Sequence, residues 1–217
     1  MTVRKQVAVE AIEPRNEKGI ALQMHDILSR RLDSRFRVHV GKSILYKIEV
    51  DALGKVTPDS VDSPMRGQYA FQTDILIEAR NPSIPLVVVE LKYGNFSTHD
   101  VITYSSKAAR HKDIYPYLRY GFIVVGKDAV LGRHFITHNQ NFDFAMAIGN
   151  LAVNSDEWIT VVERQLENAE QLSNVMRSNR IKLIKYEEVV DLVGVSQMYP
   201  IDNTLPQSVR GNRDAQS

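Results

Sequence analysis

The chain has 217 residues, with 27 lysines and arginines against 26 aspartates and glutamates, a net charge of +1 and no cysteine. The lack of cysteine excludes disulfides, thiol nucleophiles and cysteine-ligated zinc. It is typical of proteins in a reducing compartment, so we expect a cytoplasmic location. The balanced charge excludes nucleic-acid binding through overall charge alone, and any such function would depend on local basic patches.

The first third of the chain is predicted to contain one helix, then extended structure and a long loop. Asn16 is a candidate N-cap for a helix that ends near Leu32. Residues 36–50 alternate in part between apolar and polar side chains, which predicts extended structure interrupted at Gly41. Residues 51–68 are rich in Gly, Pro, Ser and Asp, a composition that predicts a long loop.

Two strands are predicted next, over residues 69–79 and 86–93. The turn-forming sequence at residues 81–83 lies between them and predicts an antiparallel hairpin. Residues 87–89 are all valine, a pattern typical of a strand that is covered on both faces.

A helix is predicted over residues 98–118, with Ser97 or Thr98 as its cap. The C-terminal part is predicted to end in a polar, disordered tail over residues 203–217. Between them, apolar runs or helical spacing predict five further elements, at residues 120–126, 142–148, 158–176, 181–186 and 189–193.

Three charged residues lie inside the predicted hairpin. Asp74 is in its first strand, and Glu90 and Lys92 are two residues apart in its second strand, so that both side chains lie on one face. Antiparallel pairing would bring the two carboxylates together as oxygen ligands for a hard cation such as Mg²⁺. A neighbouring lysine can orient or deprotonate an attacking water, or stabilise developing charge.

Asp74 followed by Glu90-Leu91-Lys92, on strands that precede a further helix and strand, resembles the motif of the PD-(D/E)xK nuclease superfamily. The resemblance covers about residues 16–126. It implies an α/β, restriction-endonuclease-like αβββαβ core with a mixed central sheet flanked by helices, plus C-terminal helical and strand additions. Thr73 stands where the family often has proline.

The resemblance also implies the roles of the site residues. Asp74 and Glu90 would bind Mg²⁺, with Mn²⁺ as a substitute, and Lys92 would position or activate the water. Glu17, on the first helix, is the best match to a further acidic residue that family members commonly carry near the metal. The implied activity is that of an endonuclease that hydrolyses phosphodiester bonds in DNA, of the restriction or defence type.

Further expectations concern the substrate and the assembly. Duplex DNA is expected in preference to single-stranded DNA, and a homodimer is expected because one metal centre cuts one strand at a time. We predict a single nuclease domain over residues 1–202, with the core at 16–126 and additions at 127–202.

Basic residues in three places are candidates for phosphate contact. On the helix after the motif, Lys107, Arg110 and His111 follow helical spacing, and we predict that Lys107 and Arg110 bind phosphate. Arg66 is the expected contact from the loop. A third group lies around the end of the first helix and consists of Arg30, Arg31, Arg35 and Arg37. These arginines could bind the backbone of a duplex, or, as we favour, they are a solvated helix end.

Other interpretations remain open. Glu90 and Lys92 could form a surface ion pair beside a solvated Asp74, although the valines at residues 87–89 argue for burial. The chain could be a non-catalytic nucleic-acid-binding or assembly module with the same fold, although such relatives usually lose one of the three motif residues. A repair or RNA-processing nuclease is the third alternative.

Overall fold

In the computed structural model of the protein, the described residues are 16–58, 64, 69–153, 155–178 and 180–193. The chain divides into two units at Arg180, and all helices and strands of the described residues belong to the first unit. No helix among them combines the length and apolar character needed to cross a membrane.

The elements of the first unit alternate between strands and helices, with a group of short strands near the start. In chain order they are α1 (Glu17–Arg31), β1 (Phe36–Val40), β2 (Ser43–Leu45), β3 (Glu49–Val50), β4 (Val56–Thr57), β5 (Ala70–Gln72), β6 (Ile75–Arg80), β7 (Ser83–Tyr93), α2 (Thr98–Ile114), β8 (Arg119–Val125), α3 (Arg133–His138), β9 (Phe144–Ile148) and α4 (Ser155–Arg177).

Five of the strands form a central mixed sheet in the order β1-β6-β7-β8-β9. The pairs β1–β6 and β6–β7 are antiparallel, whereas β7–β8 and β8–β9 are parallel. The parallel pair β7–β8 requires a crossover, which α2 supplies. The predicted α/β class, with a mixed sheet flanked by helices, is therefore confirmed.

Helices cover both faces of this sheet. Val87 and Val89 pack in the cluster that includes residues of α1 and α4, and Val88 packs in the cluster that includes residues of α2. All three valines are fully buried, as their continuous run predicts. Trp158 of α4 is also buried, and its indole N–H donates to the carbonyl of Leu151.

Local signals placed the helix starts correctly. Asn16 caps α1 by accepting a hydrogen bond from the backbone N–H of Gly19. Ser97 caps α2 in a reciprocal capping box with Asp100. The break after β1 falls at Gly41, whose φ of +69° is a left-handed conformation that favours glycine.

The predicted strand over residues 69–79 is wrong in one respect, because it is two strands with a break at Thr73 and Asp74. The first of them, β5, pairs with β2 outside the central sheet, and only β6 joins the central sheet. The break is held by Thr73, whose backbone N–H and hydroxyl both donate to the carbonyl of Lys42.

The loop prediction for residues 51–68 is wrong at its start. Residues 49–57 form a short hairpin in which β4 pairs with β3, and its turn is closed by hydrogen bonds to the Asp51 carboxylate. Residues 59–63 and 65–68, including Arg66, lie outside the described residues, as does the predicted tail at 203–217.

The elements predicted at residues 181–186 and 189–193 are also wrong, because residues 181–193 contain neither a helix nor a strand. Apolar side chains such as Ile184 and Val193 are exposed there. β-branched sequence indicates a strand only where a partner strand and a covered face exist, and residues 181–193 pair with no described strand.

The capping box of α2 generates a stability prediction. Replacing Ser97 with alanine removes the acceptor for the backbone N–H of Asp100, so we expect the free energy of unfolding to fall by about 1 kcal/mol. Urea denaturation followed by circular dichroism measures the change. Thr98→Ala, one residue further along, is the control and should have a smaller effect. Equal losses for the two variants would contradict the assignment of Ser97 as the cap.

Candidate active site

Asp74 and Glu90 face each other across the β6–β7 pair. Ile75 is paired with Val89 in the antiparallel register, so Asp74 and Glu90 occupy the next facing position. Directly opposite residues of antiparallel strands project on the same side of the sheet, and the structure thus brings the two carboxylates together. Glu90 is only 1% exposed, and Asp74 is partly buried.

One oxygen of Glu90 is held by two donors. The hydroxyl of Tyr120 on β8 donates to Oε1 at 2.6 Å, and the ammonium of Lys107 on α2 donates to the same atom at 2.7 Å. Lys107 also donates to the backbone carbonyl of Gln72. These bonds fix the orientation of the Glu90 carboxylate.

One oxygen of Asp74 is held in a similar way. The backbone N–H of Leu91 on β7 donates to Oδ2 of Asp74 at 2.7 Å. Asp74 lies just before the first residue of β6, and its side chain accepts this hydrogen bond from β7, the neighbouring strand. The break at residues 73–74 therefore serves to turn the Asp74 carboxylate toward Glu90.

Both carboxyl groups bind protons more tightly than usual. Burial raises the pKa of Glu90, the positive charge of Lys107 opposes this, and the negative charge of Asp74 adds to it. Burial likewise raises the pKa of Asp74, and the charge of Glu17 adds to this, against the opposing effects of the Leu91 N–H, Lys107 and a hydrogen bond with Glu90. When both carboxyl groups are ionised, a cation placed between them would stabilise the pair.

The donor set suits a hard divalent cation. Mg²⁺ is commonly bound by one or two carboxylates, with water and substrate phosphate completing its shell. Within the described ranges, no group of three or more histidine, cysteine, aspartate or glutamate side chains is arranged to hold a metal ion. The Asp74–Glu90 pair would accordingly hold such an ion only together with water or substrate oxygens.

Lys92 lies on the same strand face as Glu90 but binds other acids. Its Nζ lies 3.1 Å from Oε1 of Glu17 and 3.2 Å from Oδ1 of Asp100. Partial burial acts to lower the pKa of Lys92, but the interactions with Glu17, Tyr104 and Asp100 outweigh it, so the pKa is raised. A lysine with a raised pKa stays protonated, which suits it to stabilise negative charge and not to deprotonate water.

Glu17 is placed near the site through Lys92. It is the first residue of α1, and its ion pair with Lys92 joins that helix to β7. Its charge contributes to the raised pKa of Asp74, so the two acidic residues are near neighbours. The structure therefore brings Asp74, Glu90, Lys92 and Glu17 to one region, with Glu17 as a partner of the lysine.

The predicted shared basic face of Lys107, Arg110 and His111 is wrong. His111 is fully buried, and its burial together with the charge of Lys107 lowers its pKa to about 3. Lys107 points toward Glu90, and Arg110 is exposed, with its guanidinium carbon 5.8 Å from the Tyr46 ring centre. Helical spacing puts the three on neighbouring positions but does not say which of them face the sheet.

Three site residues were missed by the sequence analysis. Tyr120 lies in an apolar strand and was interpreted as core, and Asp100 was not singled out on the helix. Tyr104 lies between the two lysines, with its ring centre 5.3 Å from Nζ of Lys92 and 5.7 Å from Nζ of Lys107. A tyrosine in a buried strand needs a partner for its hydroxyl, and this signal could have identified Tyr120.

Comparisons with known proteins add no further constraint. No protein-family model matches the chain, and no match was found among curated proteins. The functional interpretation consequently rests on the geometry and chemistry of the site.

The Lys107–Glu90 pair generates a second prediction. Lys107→Met leaves the Glu90 carboxylate buried without its ammonium, so we expect the free energy of unfolding to fall by about 3–5 kcal/mol near neutral pH. The loss should be smaller in acid, where a protonated Glu90 needs no counter-ion. Arg110→Met, three residues further on the same helix, is the matched control and should change stability by less than about 0.5 kcal/mol. Equal stability of the two variants in urea denaturation would contradict the pairing.

The raised pKa values of the two carboxyl groups generate a third prediction, for protein kept free of metal with EDTA. A carboxyl group whose pKa is raised in the folded state stabilises the protein. This stabilisation is fully present at a pH below the pKa of the same group in the unfolded state, which is about 4. That stabilisation is lost as the pH rises through the raised pKa. Asp74→Asn removes one of the two charges, so the variant should be more stable than the wild type near neutral pH, by about 1 kcal/mol.

Urea denaturation between about pH 4 and pH 8 measures this difference. The Asp74→Asn protein should show a flatter pH dependence than the wild type. Asp113→Asn, which replaces an exposed aspartate of α2, should leave the pH profile unchanged. A loss of stability in Asp74→Asn near neutral pH would contradict the proposed repulsion between Asp74 and Glu90.

Proposed function

We propose that the protein is a divalent-metal-dependent nuclease that hydrolyses phosphodiester bonds in DNA. The observation that carries this proposal is a pair of carboxylates at facing positions of neighbouring strands, the partly buried Asp74 and the buried Glu90, with Lys92 two residues further along the same strand face. Carboxylates in this arrangement supply hard oxygen ligands, and an ammonium beside them supplies positive charge for a phosphate.

The order of elements supports a restriction-endonuclease-like core of the PD-(D/E)xK kind. Helix α1 is followed by β1, β6 and β7, then by α2 and β8, and the four strands are neighbours in the sheet in that order. The short strands β2 to β5 are an insertion between the first and second core strands, where they form two small sheets of their own. This succession corresponds to the αβββαβ unit that the sequence resemblance implies.

Thr73, which departs from the proline common in the family motif, is compatible with the proposal. Its backbone N–H and its hydroxyl bind the carbonyl of Lys42 at 3.1 Å and 2.9 Å. These bonds hold the strand break that precedes Asp74. Proline could make neither bond, so threonine positions Asp74 in this protein by hydrogen bonding.

In the proposed reaction, Asp74 and Glu90 would hold Mg²⁺, or Mn²⁺ in its place. Such an ion would neutralise charge at the phosphate and lower the pKa of an attacking water. Lys92 stays protonated and stabilises the negative charge that develops on the phosphate oxygens. Glu17 and Asp100 orient the Lys92 ammonium, and Glu90 is itself oriented by Lys107 and Tyr120.

Duplex DNA is the proposed substrate, with restriction or defence as the proposed setting. The Asp74–Glu90 pair would cut one strand, so cleavage of both strands would require two copies of the protein arranged with twofold symmetry. Arg110, exposed on α2 three residues beyond Lys107, remains a proposed phosphate contact.

A cleavage assay tests the proposed function. Duplex, branched and single-stranded DNA, together with RNA, are incubated with the protein in Mg²⁺, Mn²⁺ or EDTA. We expect cleavage of duplex DNA in either metal and none in EDTA. Asp74→Ala, Glu90→Ala and Lys92→Met should each lower the rate by about 100-fold or more. Asp113→Ala is the matched acidic control on α2 and should cut like the wild type.

Two outcomes would overturn the proposal. A Glu90→Ala protein that is folded by circular dichroism and cuts as fast as the wild type would exclude the carboxylate pair. No cleavage of any of these substrates in either metal would exclude the nuclease assignment itself, and would favour a non-catalytic module with this fold.

A further inference from the structure

A second group of charged side chains lies on the same face of the sheet as Asp74. The register of β1 and β6 pairs Arg37 with Glu78 and His39 with Leu76. Along β1 and β6, residues next to these three pack into the core on the face of the sheet that α1 and α4 cover. Arg37, His39 and Glu78 therefore lie on the other face, which α2 covers elsewhere. We call this group of charged side chains the row. Asp74 lies two residues before Leu76, and so at one end of the row.

Glu78 is almost fully buried and is contacted by three basic side chains. Its Oε1 lies 3.3 Å from Nη1 of Arg37 and 2.8 Å from Nε2 of His39, and the ammonium of Lys42 donates to its Oε2. Burial acts to raise the pKa of Glu78, but the hydrogen bond from Lys42 and the close contact with His39 outweigh it, so the pKa is lowered. The carboxylate is therefore ionised and holds the three side chains in place.

The basic side chains carry more charge and more donors than Glu78 can satisfy. One carboxylate balances only one of the two permanent cations, Arg37 and Lys42, so the cluster keeps a net positive charge. The side chains of Arg37 and Lys42 are 47% and 26% exposed. Each makes its side-chain hydrogen bond within the described residues to Glu78, so further N–H donors face solvent. An oxyanion is the ligand that such preoriented donors bind.

The spacing of the row fits a nucleic-acid strand. Asp74 and Glu78 are separated by about 13 Å along the chain, at about 3.3 Å per residue of strand. A strand of duplex DNA advances about 3.4 Å along the helix axis per nucleotide. Because the strand also winds around that axis, phosphates about 13 Å apart in space are separated by fewer than four nucleotides, so one strand can contact both the Asp74–Glu90 pair and the cations around Glu78.

We infer that Arg37 and Lys42, held in place by Glu78, form a phosphate-binding row that holds the DNA strand whose cleavage takes place at Asp74 and Glu90. This inference rests on the proposed nuclease function. Glu78 acts as a positioning residue, and Arg37 and Lys42 make the contacts. Contacts of this kind bind the backbone and carry no sequence preference of their own.

Binding measured without cleavage tests the row. Fluorescence anisotropy of two labelled duplexes of unrelated sequence is recorded in EDTA, with NaCl from about 50 to about 200 mM. Arg37→Gln and Lys42→Gln should each weaken binding to both duplexes alike, and each should reduce the slope of log K against log salt by about 1. Lys42→Arg, which keeps the charge, should retain the wild-type slope.

Arg35→Gln is the matched control, because Arg35 lies next to the row but pairs with Glu170 at 3.1 Å. Its salt slope should equal that of the wild type. If Lys42→Gln fails to fold, Arg37→Gln decides alone, since the Arg37 side chain is half exposed.

The outcomes separate this inference from the proposed function. If the wild type binds and cuts DNA but both glutamine variants keep its salt slope, the row is excluded and the nuclease proposal stands. If the slope of log K against log salt is smaller for the variants, but neither metal supports cleavage, the row stands and the nuclease proposal fails. Variants that change the preference between the two duplexes would exclude a backbone contact. A wild type that binds neither duplex would exclude the row, and the cleavage assay would then decide the nuclease proposal separately.

Discussion

The hydrogen-bonded pair of Lys107 and Glu90 is the interaction on which the rest of the site depends. Glu90 lies on β7, the middle strand of the central sheet, between β6 and β8, and is almost completely removed from water. A buried carboxylate is costly unless it is paired and hydrogen-bonded. Lys107 from α2 and Tyr120 from β8 meet that requirement at a single oxygen of Glu90, and in doing so they join the crossover helix to the sheet.

The same arrangement supports the proposed binding of a cation at this site. Lys107 compensates one negative charge, but Asp74 places a second carboxylate against the first. The pair is therefore incompletely neutralised inside the protein, a condition that destabilises the fold and favours any ligand that brings positive charge. Retention of such an unfavourable pair is expected where function, and not stability, selects the residues.

The two lysines near the carboxylates have different environments and so different proposed roles. Lys107 is bound to Glu90 and to a backbone carbonyl, which makes it a structural counter-ion. Lys92 is bound instead by Glu17 and Asp100, and its proposed role is to stabilise negative charge on a phosphate. The row around Glu78 extends the same principle along β6, since there too a buried carboxylate orients cations that exceed its own charge.

The sequence by itself determined the elements whose signals are local. Side-chain alternation placed Glu90 and Lys92 on one face, the valine run identified a strand buried on both sides, and Asn16 and Ser97 marked the starts of α1 and α2. Only the tertiary structure decided that Lys107 faces the sheet, that His111 is buried and neutral, and that residues 181–193 form no strand. The physical reason is that spacing along the chain determines which side chains are neighbours on an element. The direction in which they point depends on how the element packs, and a strand further depends on the partner that it finds.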